Sequence, residues 1–404
     1  MKRPRYFHGW NVVAGTLVIA TFSFGLEFYG ITVYLGALQQ RHAWSAATVS
    51  VPVTVYYLAG ALLTAWIATL YERLGPRVVV ATGSVALALG VSALGHATRP
   101  WHLYPPFLVM ALGWGAMSGA ALNILVAPWF ERRRGLAVSL AFNGATLGGV
   151  LVAPALIPLI ARVGFARAAL MAGVVTLAAL LPIAALVMRA GPHELGVGPD
   201  GGAPRPRAAT SHASAGRAEA LRTWRFWSVS APFALALAAQ VGLLTHVVGM
   251  LTPVLGVAAA GRAVSVTTAA AILGRLATGL VVDRVNPRAV TSVTLAIQLS
   301  GVLLLAASID RQDAAATVLY AACTLFGLGV GNLTTLPGII LGAEWPRERF
   351  AGLVGMAVAI NQCTFAFGPS LVGGLRDATG SYALPLLACG ALEAIAAVTI
   401  LARR

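Results

Sequence analysis

Arg275 sits in the stretch 270–288, AAILGRLATGLVVDRVNPR, among apolar and small residues. The next charged residue downstream is Asp283, roughly 12 Å along a helix at about 1.5 Å per residue. A guanidinium keeps its charge at any physiological pH. In hydrocarbon surroundings such a charge is costly, so its default place is a cavity on a pathway or beside an anionic ligand. Its planar fork of donors suits a carboxylate, which can accept two parallel hydrogen bonds. Thr268, Ala271, Thr278 and Gly279 share its helical face, and all are small or weakly polar. The competing role is structural, an ion pair with an acid on a neighbouring span.

Four further groups could take part in the same chemistry. Glu27 reads as the only carboxylate deep in an apolar stretch, with Ser23, Gly30 and Tyr34 on its face. That makes it a candidate proton carrier, or else an electrostatic partner of a base such as Arg275 or a residue near the outer surface. His246, in VGLLTHVVGMLTP, can titrate near neutrality or donate to a carboxylate, or simply bond a backbone carbonyl. Asn123 shares a face with Ala116, Gly119, Ala120 and Ala127, which either pack closely against another helix or leave space for a substrate. Asn361 and Gln362 are adjacent amides that must find partners at depth, and one of them is expected to face a cavity. Asn332 and the run Gly144, Gly148 and Gly149 read as packing features.

These residues need elements to hold them at depth. The chain has 404 residues, 58% hydrophobic and 10% charged. Soluble domains carry about 25% charged residues. The apolar residues fall into twelve blocks, at about 10–36, 47–70, 78–97, 103–129, 136–160, 165–188, 226–253, 263–282, 289–308, 314–341, 352–374 and 382–401. Each can supply the ~20 residues that a membrane-spanning helix requires. The reading is an all-α membrane protein of two six-helix halves, 1–189 and 224–404. Between them, 190–223 is rich in Gly, Pro, Ala and Ser and reads as a flexible cytoplasmic tether with a short helix at Ala218–Arg222.

The net charge of +15 raises the question of nucleic acid. The basic residues instead sit in short gaps between spans. With the N-terminus inside, 20 of the 28 Lys and Arg lie on the cytoplasmic side, seven outside, and Arg275 within the membrane. This asymmetry places both termini in the cytoplasm. The basic start Met1–Arg5 runs into a span too long for a cleavable signal peptide. Cys323, Cys363 and Cys389 lie in apolar segments and frame neither a disulfide scaffold nor a metal site. No nucleotide motif, metal cluster or nucleophile triad is visible, so no cofactor and no enzymatic activity are expected.

An internal repeat marks the halves. After span two the chain reads ATLYERLGPR, with Glu72, Arg73, Gly75, Pro76 and Arg77. After span eight it reads GLVVDRVNPR, with Gly279, Asp283, Arg284, Pro287 and Arg288. Glu72–Arg73 and Asp283–Arg284 are expected to act as structural or gate pairs at helix ends. Two similar six-span halves imply alternating access around a midplane site.

The pattern G-x-x-x-D-R-x-G-x-R after spans two and eight resembles the loop motif of the major facilitator superfamily. The segments HGWNVVAGT, WFERRRGLAVSLAFNG, GPHELGVGPDG and GPSLVGGLRDATGSY resemble its monocarboxylate transporter and oxalate:formate antiporter branch. The resemblance covers essentially the whole chain. It implies the twelve-helix fold, an organic-anion substrate and a substrate-binding arginine at Arg275. It also departs from the branch. Animal monocarboxylate transporters carry an aspartate where this chain has Ala271, and a lysine in span one, whereas here no lysine follows Lys2. The oxalate exchanger carries a lysine where this chain has Asn361.

The expected function is therefore transport of a small monocarboxylate such as lactate or pyruvate, with proton symport through Glu27 or His246. Arg275, His246, Asn123 and Asn361 are expected to contact substrate, and the protein is expected to work as a monomer. One alternative is an organic-anion exchanger of the oxalate:formate type, which needs a second cation. The other is a non-transporting sensor, which would add a soluble domain for which neither linker nor tail has room.

Overall fold

The computed structural model describes residues 7–44, 46–203, 217–310 and 315–402. The described residues form helices and turns without strands. Eight helices among them are long and apolar enough to cross a membrane, and Ala316–Val330 and Ala383–Thr399 are shorter apolar helices. One of the eight, Val51–Leu94, carries both span two and span three. It bends at Gly75 (φ 77°, ψ 161°), a backbone region that glycine enters without steric cost. Span eleven is likewise built of two pieces, Arg347–Phe365 and Gly368–Thr379. The twelve-span architecture expected from the apolar blocks is the one observed. Aliphatic side chains such as Leu62, Leu186, Val293 and Val398 stay exposed, as suits lipid rather than water. The basic residues Lys2, Arg3, Arg5, Arg205, Arg207, Arg311, Arg403 and Arg404, used for orientation, lie outside the described residues.

The chain forms two compact units. The first is Met1–Arg217 with Trp345–Ala359, and the second is Ala218–Glu344 with Ile360–Arg404. The division thus falls inside span eleven rather than only at the linker. Within the first unit, Gly144 and Gly148 bring span five onto span one. A Cβ at Gly144 would collide with the carbonyl of Leu17, and one at Gly148 would lie 2.5 Å from the carbonyl of Thr21. Arg134 lies over the Phe350 ring, 5.2 Å from its centroid.

The linker is not wholly a tether. Residues 190–203 are folded onto the first unit. Pro192–Leu195 forms a helical turn. The Asp200 carboxylate accepts the backbone N–H groups of Glu131 (3.0 Å) and Arg132 (2.8 Å). The Gly and Pro residues that suggest flexibility here supply turns instead. Residues 204–216 lie outside the described part. The short helix spans Arg217–Leu221.

The repeated motif positions a different arginine from those singled out in the sequence. Glu72, Arg73, Asp283 and Arg284 are all exposed. The second arginine of each motif does the anchoring. Arg77 Nε donates to the Met188 carbonyl at the end of span six, at 3.1 Å. Arg288 Nη1 donates to the Ile400 carbonyl at the end of span twelve, at 2.9 Å. Each cation meets carbonyls that a helix C-terminus leaves unpaired, where the helix dipole favours positive charge. Arg288 is 2% exposed and also forms a two-pronged pair with Glu344, at 2.6 and 2.8 Å.

Candidate substrate-binding site

Span eight is the helix Val257–Val281, rich in alanine and therefore readily helical. It lies close against span ten because glycines face it. A Cβ at Gly274 would collide with the Leu328 carbonyl, and one at Gly327 with the Thr267 carbonyl. Span ten is broken into Ala316–Val330 and Leu336–Glu344, with a turn at 331–335. The break follows a Gly-rich run and precedes Pro337, whose ring cannot continue a preceding helix.

The break frees the Gly331 carbonyl, and Arg275 uses it. Arg275 is 3% exposed, and its Nε donates to Gly331 O at 2.8 Å. The hydroxyls of Thr334 (3.1 Å) and Thr335 (3.0 Å) donate to the same oxygen. Only glycine fits here, since a Cβ on Gly331 would lie 2.7 Å from the Ala271 carbonyl and 3.1 Å from the guanidinium carbon. The Nε bond fixes the plane of the guanidinium. Its two terminal nitrogens form the fork that a carboxylate accepts.

Span four is also interrupted. Tyr104–Met117 ends at Ser118 (φ −84°, ψ −168°), and Gly119–Val126 begins there. Both breaks thus fall in the fourth span of a half. Interrupted helices at corresponding positions of two halves are the structural pointer to a transporter's binding region. Asn123 lies one turn past the first break, 1% exposed, with Nδ2 donating to Gly119 O at 2.9 Å and Oδ1 without a partner. Asn332 lies in the second break, 1% exposed, with Nδ2 donating to Leu328 O at 2.9 Å and Oδ1 likewise bare. The break at Ser118 has no clear sequence signal, because Gly-Ala-Ala can equally continue a helix.

Asn361 and Gln362 are 3% and 2% exposed, and their carbonyl oxygens have no hydrogen-bond partner. His246 is already engaged. Its Nε2 donates to the Pro369 carbonyl at 3.1 Å, and its Nδ1 faces the Tyr382 hydroxyl at 3.5 Å. It thereby ties span seven to spans eleven and twelve within the second unit.

Glu27 is fully buried in the first unit, in a π-helical turn at Gly25–Tyr29. Such turns displace the backbone ladder and recur at functional sites. The Glu27 carbonyl accepts the Tyr56 hydroxyl at 2.8 Å, and Oε2 accepts the Ser23 hydroxyl at 3.0 Å. Span four makes room for the carboxyl with Gly113, where a Cβ would come within 2.5 Å of Oε1. Glu27 is not alone at depth, however. Glu393 in span twelve is also fully buried. It was legible as a carboxylate inside an apolar block, ALEAIAAV, and corrects the expectation of a single one.

The sequence profile of the Major Facilitator Superfamily matches residues 17–261. The chain belongs to the major facilitator superfamily. This superfamily transporter is similar to monocarboxylate transporter 11 of mouse, at 30% identity over 94% of this chain and 84% of that protein. It is 29% identical to the human protein of the same name, over 95% of this chain and 80% of the relative. Rat monocarboxylate transporter 2 is 24% identical, over 95% and 80%. Among solved structures, the fucose:proton symporter of E. coli superposes with a TM-score of 0.72 at 14% identity, covering 96% of this chain and 98% of that one. That likeness is one of fold. The protein is a multi-pass membrane transporter and not an enzyme.

Proposed function

We propose that this transporter carries a small monocarboxylate, such as lactate or pyruvate, across the cytoplasmic membrane by alternating access with proton symport. The observation that carries the reading is Arg275, 3% exposed within a membrane span and oriented by the Gly331 carbonyl. A permanent cation held at that depth matches one carboxylate. The names of the relatives support the same substrate class. Asn361 in the second unit and Asn123 in the first each present a bare carbonyl oxygen, which can accept the hydroxyl of a 2-hydroxy acid. His246 contacts substrate, or takes up a proton, only by giving up the Tyr382 contact. Glu72, Arg73, Asp283 and Arg284 serve as gate elements at the span ends, the protein works as a monomer, and the basic-residue asymmetry puts both termini in the cytoplasm.

A thermal-shift panel of organic acids on the purified protein tests the substrate class, because a ligand that binds the folded state stabilises it according to affinity. Lactate or pyruvate is expected to raise Tm, and succinate to raise it less at equal concentration. Stabilisation by sugars alone would overturn the reading.

Glu27 is the proton carrier in this proposal. Glu27→Gln is expected to leave exchange of internal for external substrate intact and to remove accumulation driven by a pH gradient. Liposome assays of the two modes check this. Full accumulation in the mutant would move the role to another group, with His246 next.

Asn361 occupies the place of the second cation in the oxalate-exchanging branch that the motifs resemble. Asn361→Lys is expected to weaken binding of lactate and strengthen binding of a short dicarboxylate, each by about tenfold, or ~1.4 kcal/mol. Competition binding measures both changes. An unchanged preference would show that Asn361 does not meet the ligand.

A further inference from the structure

Spans nine and twelve, the helices Pro287–Ser308 and Ala383–Thr399, meet through a polar pair that the transport site does not use. Gln298 and Glu393 are both fully buried. Gln298 Nε2 donates to Glu393 Oε1 at 2.7 Å. The other end of each group is bare, since neither Gln298 Oε1 nor Glu393 Oε2 has a hydrogen-bond partner. Span ten gives the amide its space through Gly329, where a Cβ would lie 2.6 Å from the Gln298 Cβ. The nearby core is apolar, with Val302, Leu305, Phe326 and Leu386.

Each of the two joined side chains thus also carries a buried acceptor without a donor. A buried acceptor without a donor is costly. A proton on Glu393 Oε2 would turn that atom into a donor, for which the Gln298 Oε1 is an unused acceptor. A carboxylic acid and a primary amide are then self-complementary. A metal cation would need more oxygen ligands than these two.

We propose that Glu393 binds a proton shared with Gln298, forming a proton site in the second unit distinct from Glu27 and Arg275. Loss of that proton sets two acceptors against each other and loosens the contact of spans nine and twelve. The charged and titratable groups on the packed helices are otherwise committed or remote. Cys389 lies one turn away on the same helix and is buried. Cys323 on span ten belongs to the apolar core. His246 of span seven is on the Pro369 carbonyl. Arg288 of span nine is on Glu344 and the Ile400 carbonyl, roughly 15 Å along its helix from Gln298. Arg376 of span eleven lies over the Tyr382 ring, 5.9 Å from its centroid. The site depends on no particular substrate.

Infrared spectroscopy of the purified full chain in the Glu27→Gln background tests this directly. At neutral pH a hydrogen-bonded carboxylic-acid carbonyl band is expected, shifting in deuterated water. Adding Glu393→Gln should remove the band. Adding Gln298→Leu should instead keep it and move it to the frequency of a more weakly bonded acid. A spectrum unchanged by Glu393→Gln overturns the proposal, as does loss of a carboxylate band in its place or a band that depends on added sodium.

Discussion

Arg275→Lys and Arg275→Ala are both expected to abolish substrate uptake while the protein stays folded. Lysine keeps the positive charge but presents a compact ammonium in place of a planar fork. It can neither hold the Gly331 carbonyl through an Nε nor offer two parallel donors to a carboxylate. A hydrogen bond to a charged group is worth about 1.5–3 kcal/mol. Losing one arm of the fork therefore weakens binding by roughly 10- to 100-fold in the lysine variant, with a larger loss in the alanine variant. The fold survives because Thr334 and Thr335 still donate to the Gly331 carbonyl. Ligand affinity by thermal shift, with the melting transition of the unliganded protein as the folding control, checks both halves. Near-normal affinity in Arg275→Lys would show that charge alone suffices.

The second large effect is on stability. Arg288 is 2% exposed, and Glu344 neutralises it through two hydrogen bonds of 2.6 and 2.8 Å. Ser228 Oγ (2.9 Å) and the Ile400 carbonyl (2.9 Å) take other donors of the same guanidinium. Glu344→Ala leaves a buried cation with neutral acceptors only among the described residues. Removing one partner of a buried pair costs about 3–5 kcal/mol. The expected result is a clear drop in Tm, and a smaller one for Glu344→Gln, which keeps the shape and one acceptor. Glu72→Ala, at an exposed span end, should lower Tm less than Glu344→Ala, since an exposed group loses less on truncation than a buried pair. Thermal melts of the three purified variants rank them. Equal Tm values for Glu344→Ala and Glu72→Ala would remove Arg288 from the role of anchor.

The twelve spans were legible because a membrane helix must be long and apolar, and the chain can show that only as blocks. The repeat was legible for a related reason: each half needs the same turn and the same basic residue at one end. What the repeat did not reveal was which arginine is buried. Arg284 looks like the partner of Asp283, yet Arg288, in the first turn after Pro287, faces inward. Its acid, Glu344, stands 56 positions away and leaves no local trace. For His246 the sequence leaves open substrate contact, a proton or a backbone carbonyl, and the carbonyl it meets, that of Pro369, lies 123 positions on. Composition misled at 190–203, where glycine and proline mark turns locked by Asp200 rather than a loose tether. The break at Ser118 was hidden because an interrupted helix keeps its apolar pattern on both sides. Glu393 needed no distant information; a single carboxylate in an alanine-rich block is easily passed over beside the more conspicuous Glu27.

Charge matching is the central claim. Arg275 is a permanent cation buried midway along span eight, and in this account a second carboxylate on the ligand would shed its water without a fixed partner. An unpaired buried charge costs at least several kcal/mol, which is more than a hundredfold in affinity at about 1.4 kcal/mol per decade. The direct measurement is competition in proteoliposomes, with uptake of labelled lactate driven by an inward proton gradient and challenged by unlabelled pyruvate or succinate at neutral pH. The predicted result is accumulation of lactate that pyruvate suppresses and equimolar succinate leaves nearly unchanged, with no accumulation in Arg275→Lys. Stronger suppression by succinate than by pyruvate, or undiminished uptake in Arg275→Lys, would contradict it.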